Sequence, residues 1–329
     1  MKYIFTLALL FGGYAFSQGV DRVDAIGITV SDLDRSLEFY TTVLPFKKVS
    51  EVEVLGTSYE QLKGLFGIRY RKARLKLGEE EIELTDYLTT GGRSIPEDAR
   101  SNDLWFQHIA IVVSDMEAAY NRLKAHKVIH VSTAPQTLPK SIPAAEGIKA
   151  FYFRDPDGHN LELIYFPPGK GNPRWHNKSM DVFRGIDHTA IGVSQTETSK
   201  KFYGDLLGIR YQGESYNSGD EQEHLNNVAG AKLRISGNRA LAGPGVEFLE
   251  YLSPRSGRPY PDDERADDLV HWETILTTST LDALYAKLKG ANLSFISSAI
   301  ANIPDAQYLY KRGFYLRDPD GHVVGIFEK

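Results

Sequence analysis

Internal repetition at half the length of the chain limits what this sequence can fold into more than any other feature. Among its 329 residues, positions 154–159 read Arg-Asp-Pro-Asp-Gly-His, and positions 317–322 read the same. Gly92-Arg93 and Asp103-Leu104 recur as Gly257-Arg258 and Asp268-Leu269, so that all these pairs lie 163 to 165 residues apart. Duplication of one ancestral half explains the shared spacing better than chance does.

Each half is itself divided into two similar segments. Residues 23–31, 107–114 and 186–194 resemble one another, and residues 272–278 form a more diverged fourth copy. These stretches are aliphatic and β-branched, which is typical of strands. Apolar residues at helical spacing follow each copy, and extended sequence with turns comes next. The pattern therefore predicts four copies of a βαβββ module.

The module pattern suggests the domain boundaries. Residues 167–181 are rich in Pro, Gly, Lys and Asn and are predicted to be a linker. It separates a first domain, 18–166, with modules one and two, from a second domain, 182–329, with modules three and four. Ahead of them, Lys2, the apolar run 4–16 and a small-x-small sequence at 15–17 predict a signal peptide over residues 1–17. We therefore expect a periplasmic or secreted protein; a buried first strand or helix is the alternative.

Composition excludes several classes of protein and site. The chain has no cysteine, so disulfides, zinc–thiolate sites, iron–sulfur clusters and cysteine nucleophiles are excluded. A net charge of −5 with interspersed signs argues against a nucleic-acid partner. The N-terminal apolar run is shorter than the roughly 20 residues of a spanning helix, and no later segment is long and apolar enough, so no membrane span is expected. The sequence leaves the oligomeric state open and is compatible with a monomer.

The modules resemble a known superfamily. The repeated unit, the Asp-Pro-Asp-Gly turn before Leu161-Glu162-Leu163, and His108 on a first strand resemble the vicinal-oxygen-chelate proteins. These include glyoxalase I, extradiol dioxygenases, methylmalonyl-CoA epimerase and the fosfomycin and bleomycin resistance proteins. The resemblance covers residues 22–329 and implies an α+β fold, in which the four modules form two pseudo-symmetric eight-stranded cups. It also implies metal ligands at two positions of a module: a His, Gln or Glu on the first strand and a Glu on the closing strand.

Strand alternation indicates which side chains face the cups. In residues 107–113, the apolar Ile109 and Ile111 should pack on the helix, which leaves His108 facing the cup. Glu162 is flanked by apolar neighbours that point the other way, and so are Glu247 and Glu83. The ligand positions implied by the resemblance are then Ala25 and Glu83 in module one, His108 and Glu162 in module two, His188 and Glu247 in module three, and Glu273 and Gly325 in module four.

The pairing of modules decides how many sites result. If neighbours pair, Glu83 joins His108 and Glu162, and Glu273 joins His188 and Glu247, which gives two three-ligand sites. If module two pairs with three and one with four, a single site of His108, Glu162, His188 and Glu247 is complete, and Glu83 and Glu273 remain as two carboxylates. We favour the second pairing, since the loss of both ligands from one redundant site is the simpler history. A charged strand end in water explains Glu83 equally well, and His271 competes with Glu273 because it lies on the same face.

A metal enzyme is the function that this ligand set favours. Two His and two Glu neutralise a divalent ion and leave two positions open, which suits Fe²⁺, Mn²⁺, Ni²⁺, Co²⁺ or a high-coordinate Zn²⁺. A small substrate with two vicinal oxygens could bind there, with the ion as a Lewis acid and Glu162 or Glu247 as the base of a glyoxalase-, isomerase- or epimerase-like reaction. Alternatives are an extradiol ring-cleaving dioxygenase, a metal-free protein that sequesters a small molecule, and a degenerate scaffold.

Overall fold

The computed structural model describes residues 19–304 and 309–329. The predicted signal segment, residues 1–17, lies outside the described residues. No helix in the described ranges is long and apolar enough to cross a bilayer.

The first half of the chain contains two of the predicted modules. Module one consists of β1 (Arg22–Val30), α1 (Leu33–Glu38) continued by a π-helix (Phe39–Val43), β2 (Lys47–Leu55), α2 (Thr57–Lys63), β3 (Arg69–Leu77) and β4 (Glu80–Tyr87). Module two consists of β5 (Gln107–Val113), α3 (Met116–Ala125), β6 (Ile129–His130), β7 (Gln136–Thr137), β8 (Lys149–Arg154) and β9 (Asn160–Tyr165). Helix α3 buries its apolar stripe, and the Asp115 side chain caps its first turn by accepting from two backbone amides.

The second half repeats this order. Module three consists of β10 (Phe183–Gly192), α4 (Thr196–Lys200) continued by a π-helix (Lys201–Leu206), β11 (Arg210–Ser218), α5 (Asp220–Asn226), β12 (Lys232–Arg239) and β13 (Gly245–Ser253). Module four consists of β14 (Trp272–Thr277), α6 (Leu281–Lys289), β15 (Ala301–Asn302), β16 (Arg312–Arg317) and β17 (Val323–Glu328). The predicted α+β fold of four repeated modules is therefore confirmed.

The strands form two curled sheets, and each takes one module from each half. The central cup combines modules two and three in the order β11-β12-β13-β10-β5-β9-β8-β6, with β7 also paired to β8. The terminal cup combines modules one and four in the order β15-β16-β17-β14-β1-β4-β3-β2. The favoured pairing is thus the one observed, and neighbour pairing is excluded because β1 and β5 lie in different sheets. Apolar residues of both sheets and of the helices share one large buried core.

The repeated motifs of the sequence hold the two halves together. Arg93 donates through its backbone amide and its guanidinium to Asp268, and Arg258 donates in the same way to Asp103. Gly92 precedes the first arginine, and a Cβ there would overlap the carbonyl oxygen of Asp267. Each half therefore contributes an arginine that forms an ion pair with an aspartate of the other half.

The segment predicted to be a linker carries structure of its own. A short 3₁₀ helix, Pro173–His176, lies within it. Trp175 is buried there against Ala110, Val112 and Ile164 of the central cup. Residues 167–181 thus connect the two halves and also form part of the wall of one cup.

Candidate metal centre

Two antiparallel strands at the middle of the central cup place the predicted ligands in two adjacent rows. On β5 and β10, His108 lies opposite Ala190 and His188 lies opposite Ala110. The parallel neighbour β9 places Glu162 beside Ala110, and β13 places Glu247 beside Ala190. Each row therefore reads carboxylate, alanine, imidazole. The small alanine side chains leave space in which the longer side chains can meet.

The four side chains converge in that space. Nε2 of His108 lies 3.1 Å from Oε2 of Glu162, and Nε2 of His188 lies 3.7 Å from the same oxygen. One ligand atom from each of these three residues can be chosen so that all lie within 4.8 Å of one another. Glu247 joins from the other side, with Oε1 3.4 Å from Nε2 of His188. The ligand set predicted from sequence is therefore brought together in one place.

These residues fit a divalent cation. His108, Glu162 and His188 are almost fully buried, at 1%, 5% and 6% exposure. Within the described part of the chain, no hydrogen bond reaches Nε2 of His188, although the atom is buried and faces two carboxylates. Burial of carboxylates and of an unsatisfied ring nitrogen costs several kcal/mol unless a charge partner is present. A cation bound to the imidazoles and carboxylates would supply that partner.

The electrostatics of the site point the same way. Burial favours the neutral form of His188, but Glu247, Asp187 and Glu162 outweigh it and raise the pKa of this imidazole to about 9. Burial raises the pKa of Glu247, and the Glu162 carboxylate adds to that shift. The cluster thus attracts positive charge to the point where the imidazoles and carboxylates meet. A proton on His188 satisfies this demand in part, and a divalent ion would satisfy it more fully.

A cavity of about 460 Å³ opens beside the cluster and is large enough for a small molecule. Module two lines one wall, mainly with apolar side chains that include Leu138, Ile148 and Ile164. Module three lines the opposite wall with polar groups that include Asn217 and Arg239. The cavity therefore has one mainly apolar wall and one polar wall, even though the cup that contains it is pseudo-symmetric.

Sequence reasoning missed three residues beside the site. Asp187 lies 3.1 Å from Nδ1 of His188 and accepts from Arg239 and from the indole of Trp175. Tyr152 packs on His108, with ring centroids 4.9 Å apart. Alternation along β8 could have placed Tyr152 in the cup, since Phe151 and Phe153 belong to the core. No sequence signal indicated that Trp175 would reach the site.

The secondary candidates, Glu83 and Glu273, lie in the terminal cup and away from the histidine pair. Both are buried, so the reading of Glu83 as a charged strand end in water is wrong. Lys72 donates to Glu83 at 2.6 Å and Arg74 donates to it at 2.8 Å. Glu273 forms an ion pair with the buried Lys63.

Further contacts complete the ion network of the terminal cup. His271, the residue that competed with Glu273 in the sequence, lies 3.0 Å from it, and Tyr315 donates to it at 2.6 Å. Arg74 pairs with Glu83 across β3 and β4 in the way that Gly237 pairs with Glu247 in the central cup. An arginine therefore occupies a place that glycine leaves open in the central cup.

The remaining histidines have structural or exposed positions. In the repeated turn, His159 contacts Asp155 at 2.8 Å, and His322 contacts Asp318 at 3.1 Å. Both side chains are buried beside the turn, which agrees with the structural role expected of them. His224 on α5 is exposed and does not line the cavity.

The chain is similar to several known proteins. A model of the Glyoxalase/Bleomycin resistance protein/Dioxygenase superfamily matches residues 22–163 and 185–326. A 2-epi-5-epi-valiolone epimerase from an Actinomyces species is 32% identical over 162 residues, which cover 46% of this chain and 82% of that protein. The uncharacterised protein YwbC of Bacillus subtilis strain 168 is 30% identical over 144 residues, or 44% of this chain and 97% of that protein.

A solved structure agrees with the whole architecture. Glyoxalase I from Zea mays superposes with a TM-score of 0.60 and covers 94% of this chain and 92% of that chain. Its sequence identity to this chain is 17%, so the likeness concerns the fold.

Proposed function

Since the chain belongs to the Glyoxalase/Bleomycin resistance protein/Dioxygenase superfamily, we propose that it is a divalent-metal-dependent enzyme that moves a proton on a small substrate with two vicinal oxygens. The observation that carries this proposal is the convergence of His108, Glu162, His188 and Glu247 beside a cavity of small-molecule size. The ion is one of Fe²⁺, Ni²⁺, Zn²⁺, Mn²⁺ and Co²⁺, all of which accept nitrogen and oxygen ligands.

The four side chains divide into holding and reacting groups. The ion, when bound, would act as a Lewis acid that increases the acidity of a carbon next to the substrate carbonyl. Glu162 contacts both imidazoles and its side chain is 6% exposed, which suits a permanent ligand. Of the two imidazoles, Glu247 forms an ion pair with that of His188, and its side chain is 25% exposed. Glu247 is therefore the better placed of the two carboxylates to take a proton from the substrate and return it.

The chemistry of the relatives supports proton transfer. The Actinomyces relative is named as an epimerase and the maize structure as a glyoxalase I. An epimerase inverts one carbon centre, and removal of the proton by a carboxylate on one face, followed by return of a proton to the opposite face from a second group or from water, is a direct route to inversion. Glu247 also argues against ring cleavage, because iron that activates dioxygen usually has two histidines and one carboxylate as ligands, and a second carboxylate beside the ion would take the space that dioxygen needs.

Solvent isotope exchange tests the proposal without knowledge of the natural substrate. The protein loaded with Co²⁺ or Zn²⁺ would be incubated in D₂O with a set of α-hydroxyketones, and deuterium at the carbon next to the carbonyl would be followed by NMR. We expect metal-dependent exchange in the unaltered protein. Glu247→Gln should slow it by about 10²–10⁴-fold while one ion stays bound, because the variant lacks the base.

Matched variants separate the roles of the carboxylates. Glu162→Gln should lose the ion, and Glu214→Gln should change neither ion nor exchange. Glu214 lines the same cavity but is held by Arg234. Exchange that persists in Glu247→Gln, or in protein freed of metal, would contradict the proposal.

The cellular location is a separate proposal. The apolar run 4–16 and the small residues at 15 and 17 support export and cleavage before Gln18. Mass spectrometry of the protein from its own cells should find Gln18 as the first residue, and a retained N-terminus would contradict export.

A further inference from the structure

The strand that carries His188 contains an irregularity directly beside this residue. Ile186 pairs with Ile111 and His188 pairs with Ala110, so Asp187 is an extra residue without a partner on β5. Such a bulge turns a side chain away from strict alternation. In a regular strand, Asp187 and His188 would point to opposite faces. Here the Asp187 carboxylate reaches Nδ1 of the adjacent His188 ring at 3.1 Å.

Two other groups hold the Asp187 carboxylate in this position, and a third contact holds the backbone beside it. The Trp175 indole donates to Oδ1 at 2.8 Å. The Arg239 guanidinium donates to Oδ1 at 2.8 Å and to Oδ2 at 2.9 Å. At the bulge, the Ile186 amide donates to Glu80 of the terminal cup at 3.0 Å. Both the carboxylate and the backbone of the bulge are therefore fixed from several directions.

This arrangement selects one nitrogen of His188. An ionised carboxylate can only accept hydrogen bonds, so its contact with Nδ1 places a proton on that nitrogen. The lone pair of the neutral ring then lies on Nε2, which faces Glu162 and Glu247. Histidines that bind metals commonly donate their other ring nitrogen to a carboxylate, which fixes the ring and makes it a stronger ligand.

The terminal cup contains the same bulge without the histidine. Val23 pairs with Leu276 and Ala25 with Ile275, so Asp24 is the extra residue. Its neighbour is Ala25, and its carboxylate instead accepts from Arg74 and Tyr310, each at 2.7 Å. The molecule therefore offers an internal comparison: one bulge aspartate next to a candidate ligand and one next to an alanine.

We propose that Asp187, held by Trp175 and Arg239, is a positioning residue that orients His188 and increases its affinity for the metal. Because Trp175 belongs to the segment between the two halves, that segment supports the site as well as connecting the chain. The inference rests on the proposed metal site and adds to it a residue that does not touch the ion.

Affinity for Zn²⁺ alone, measured by competition with a chelator, tests this role without any substrate. We expect Asp187→Asn, which keeps the size of the side chain, to raise the dissociation constant for Zn²⁺ by about 10–100-fold. Asp24→Asn, the matched control, should leave it within about twofold of the unaltered protein, since Asp24 has no histidine neighbour and the affinity loss is tied to the ligand. Arg239→Gln is a second variant that keeps Asp187, and it should weaken Zn²⁺ binding in the same direction.

Nitrogen NMR of the ring gives a readout that simple loss of stability would not change. In the protein loaded with Zn²⁺, His188 should carry its proton on Nδ1 and bind through Nε2. Binding through Nδ1, or an unchanged affinity in Asp187→Asn, would overturn the inference while the metal site stands. No binding of Zn²⁺ by the unaltered protein would overturn the proposed site and this inference together.

Discussion

At the scale of single residues, the two cups show how one framework treats buried carboxylates in two ways. In the central cup, Glu162 contacts two imidazoles. Among the residues that the structure describes, no lysine or arginine lies within hydrogen-bond distance of its carboxylate. In the terminal cup, Glu83 meets Lys72 and Arg74 instead. A buried carboxylate requires a positive partner. The proposed ion would be that partner in the central cup, whereas lysine and arginine side chains of the chain itself are the partners in the terminal cup.

His271 in the ion network of the terminal cup should make the stability of the protein depend on pH. Burial favours its neutral form, but Glu264 at 2.5 Å and Glu273 at 3.0 Å outweigh burial and raise its pKa from 6.5 to about 9. The folded state therefore binds a proton that the unfolded state releases, and the stabilisation from His271 is complete below pH 6.5 and lost as pH rises through about 9.

Urea unfolding of the unaltered protein and of His271→Gln across this range tests the sign. The difference in the free energy of unfolding between the two proteins should be largest at pH 6 and shrink toward pH 9.5. A difference that does not change with pH, or one that grows as pH rises, would show that the imidazole is not held in its charged form.

At the scale of elements, strand β3 supplies the two cations that pair with Glu83 in the terminal cup, because Lys72 and Arg74 both project from it. Lys72→Met should destabilise the fold by roughly 1.5–3 kcal/mol, since Glu83 loses one of its two buried cations and keeps Arg74. Lys48→Ala is the control on the neighbouring strand β2: Lys48 is 49% exposed in its pair with Glu51, so its loss should cost less than about 1 kcal/mol. Chemical denaturation gives both values, and equal losses would argue against a buried network.

The crosswise contacts between the halves give a second prediction at this scale. Gly92→Ala should destabilise by about 1–3 kcal/mol, because the added methyl overlaps the Asp267 carbonyl beside the Arg93–Asp268 pair. Gly91→Ala is a control one residue away, where an added Cβ meets nothing within 4 Å. Thermal unfolding of the two variants should separate them by several degrees. Equal melting temperatures would mean that the close approach of the halves at Gly92 is unimportant.

The sequence predicted the strands and the candidate ligands that face inward, but not the bulges or the ion pairs around them. Alternation about Ile109 and Ile111 placed His108 inward, and the repeat spacing transferred that assignment to His188. Strict alternation could not predict the bulges, because a period of two places Asp187 on the sheet face opposite to His188. The cations of β3 were missed as well, since a strand rich in lysine and arginine does not show from sequence alone which carboxylates it meets across the sheet.

At the scale of the whole molecule, the arrangement of modules determines the chemistry. Pairing of modules two and three collects His108, Glu162, His188 and Glu247 in one cup, and pairing of one and four leaves Glu83 and Glu273 in the other. From the sequence, this pairing could be favoured only because the loss of both ligands from one redundant site is the simpler history. Both pairings satisfy the same local patterns. Strand order is a long-range property that the repeats alone do not encode.

The number and location of bound ions distinguish one metal site in the central cup from two sites. Elemental analysis and anomalous scattering should be applied to the purified protein and to the double variant Glu83→Gln/Glu273→Gln. One divalent ion per chain, bound between His108 and His188 in both proteins, is the predicted result. Two ions per chain in the unaltered protein, or loss of the ion in a double variant that circular dichroism shows to be folded, would contradict it.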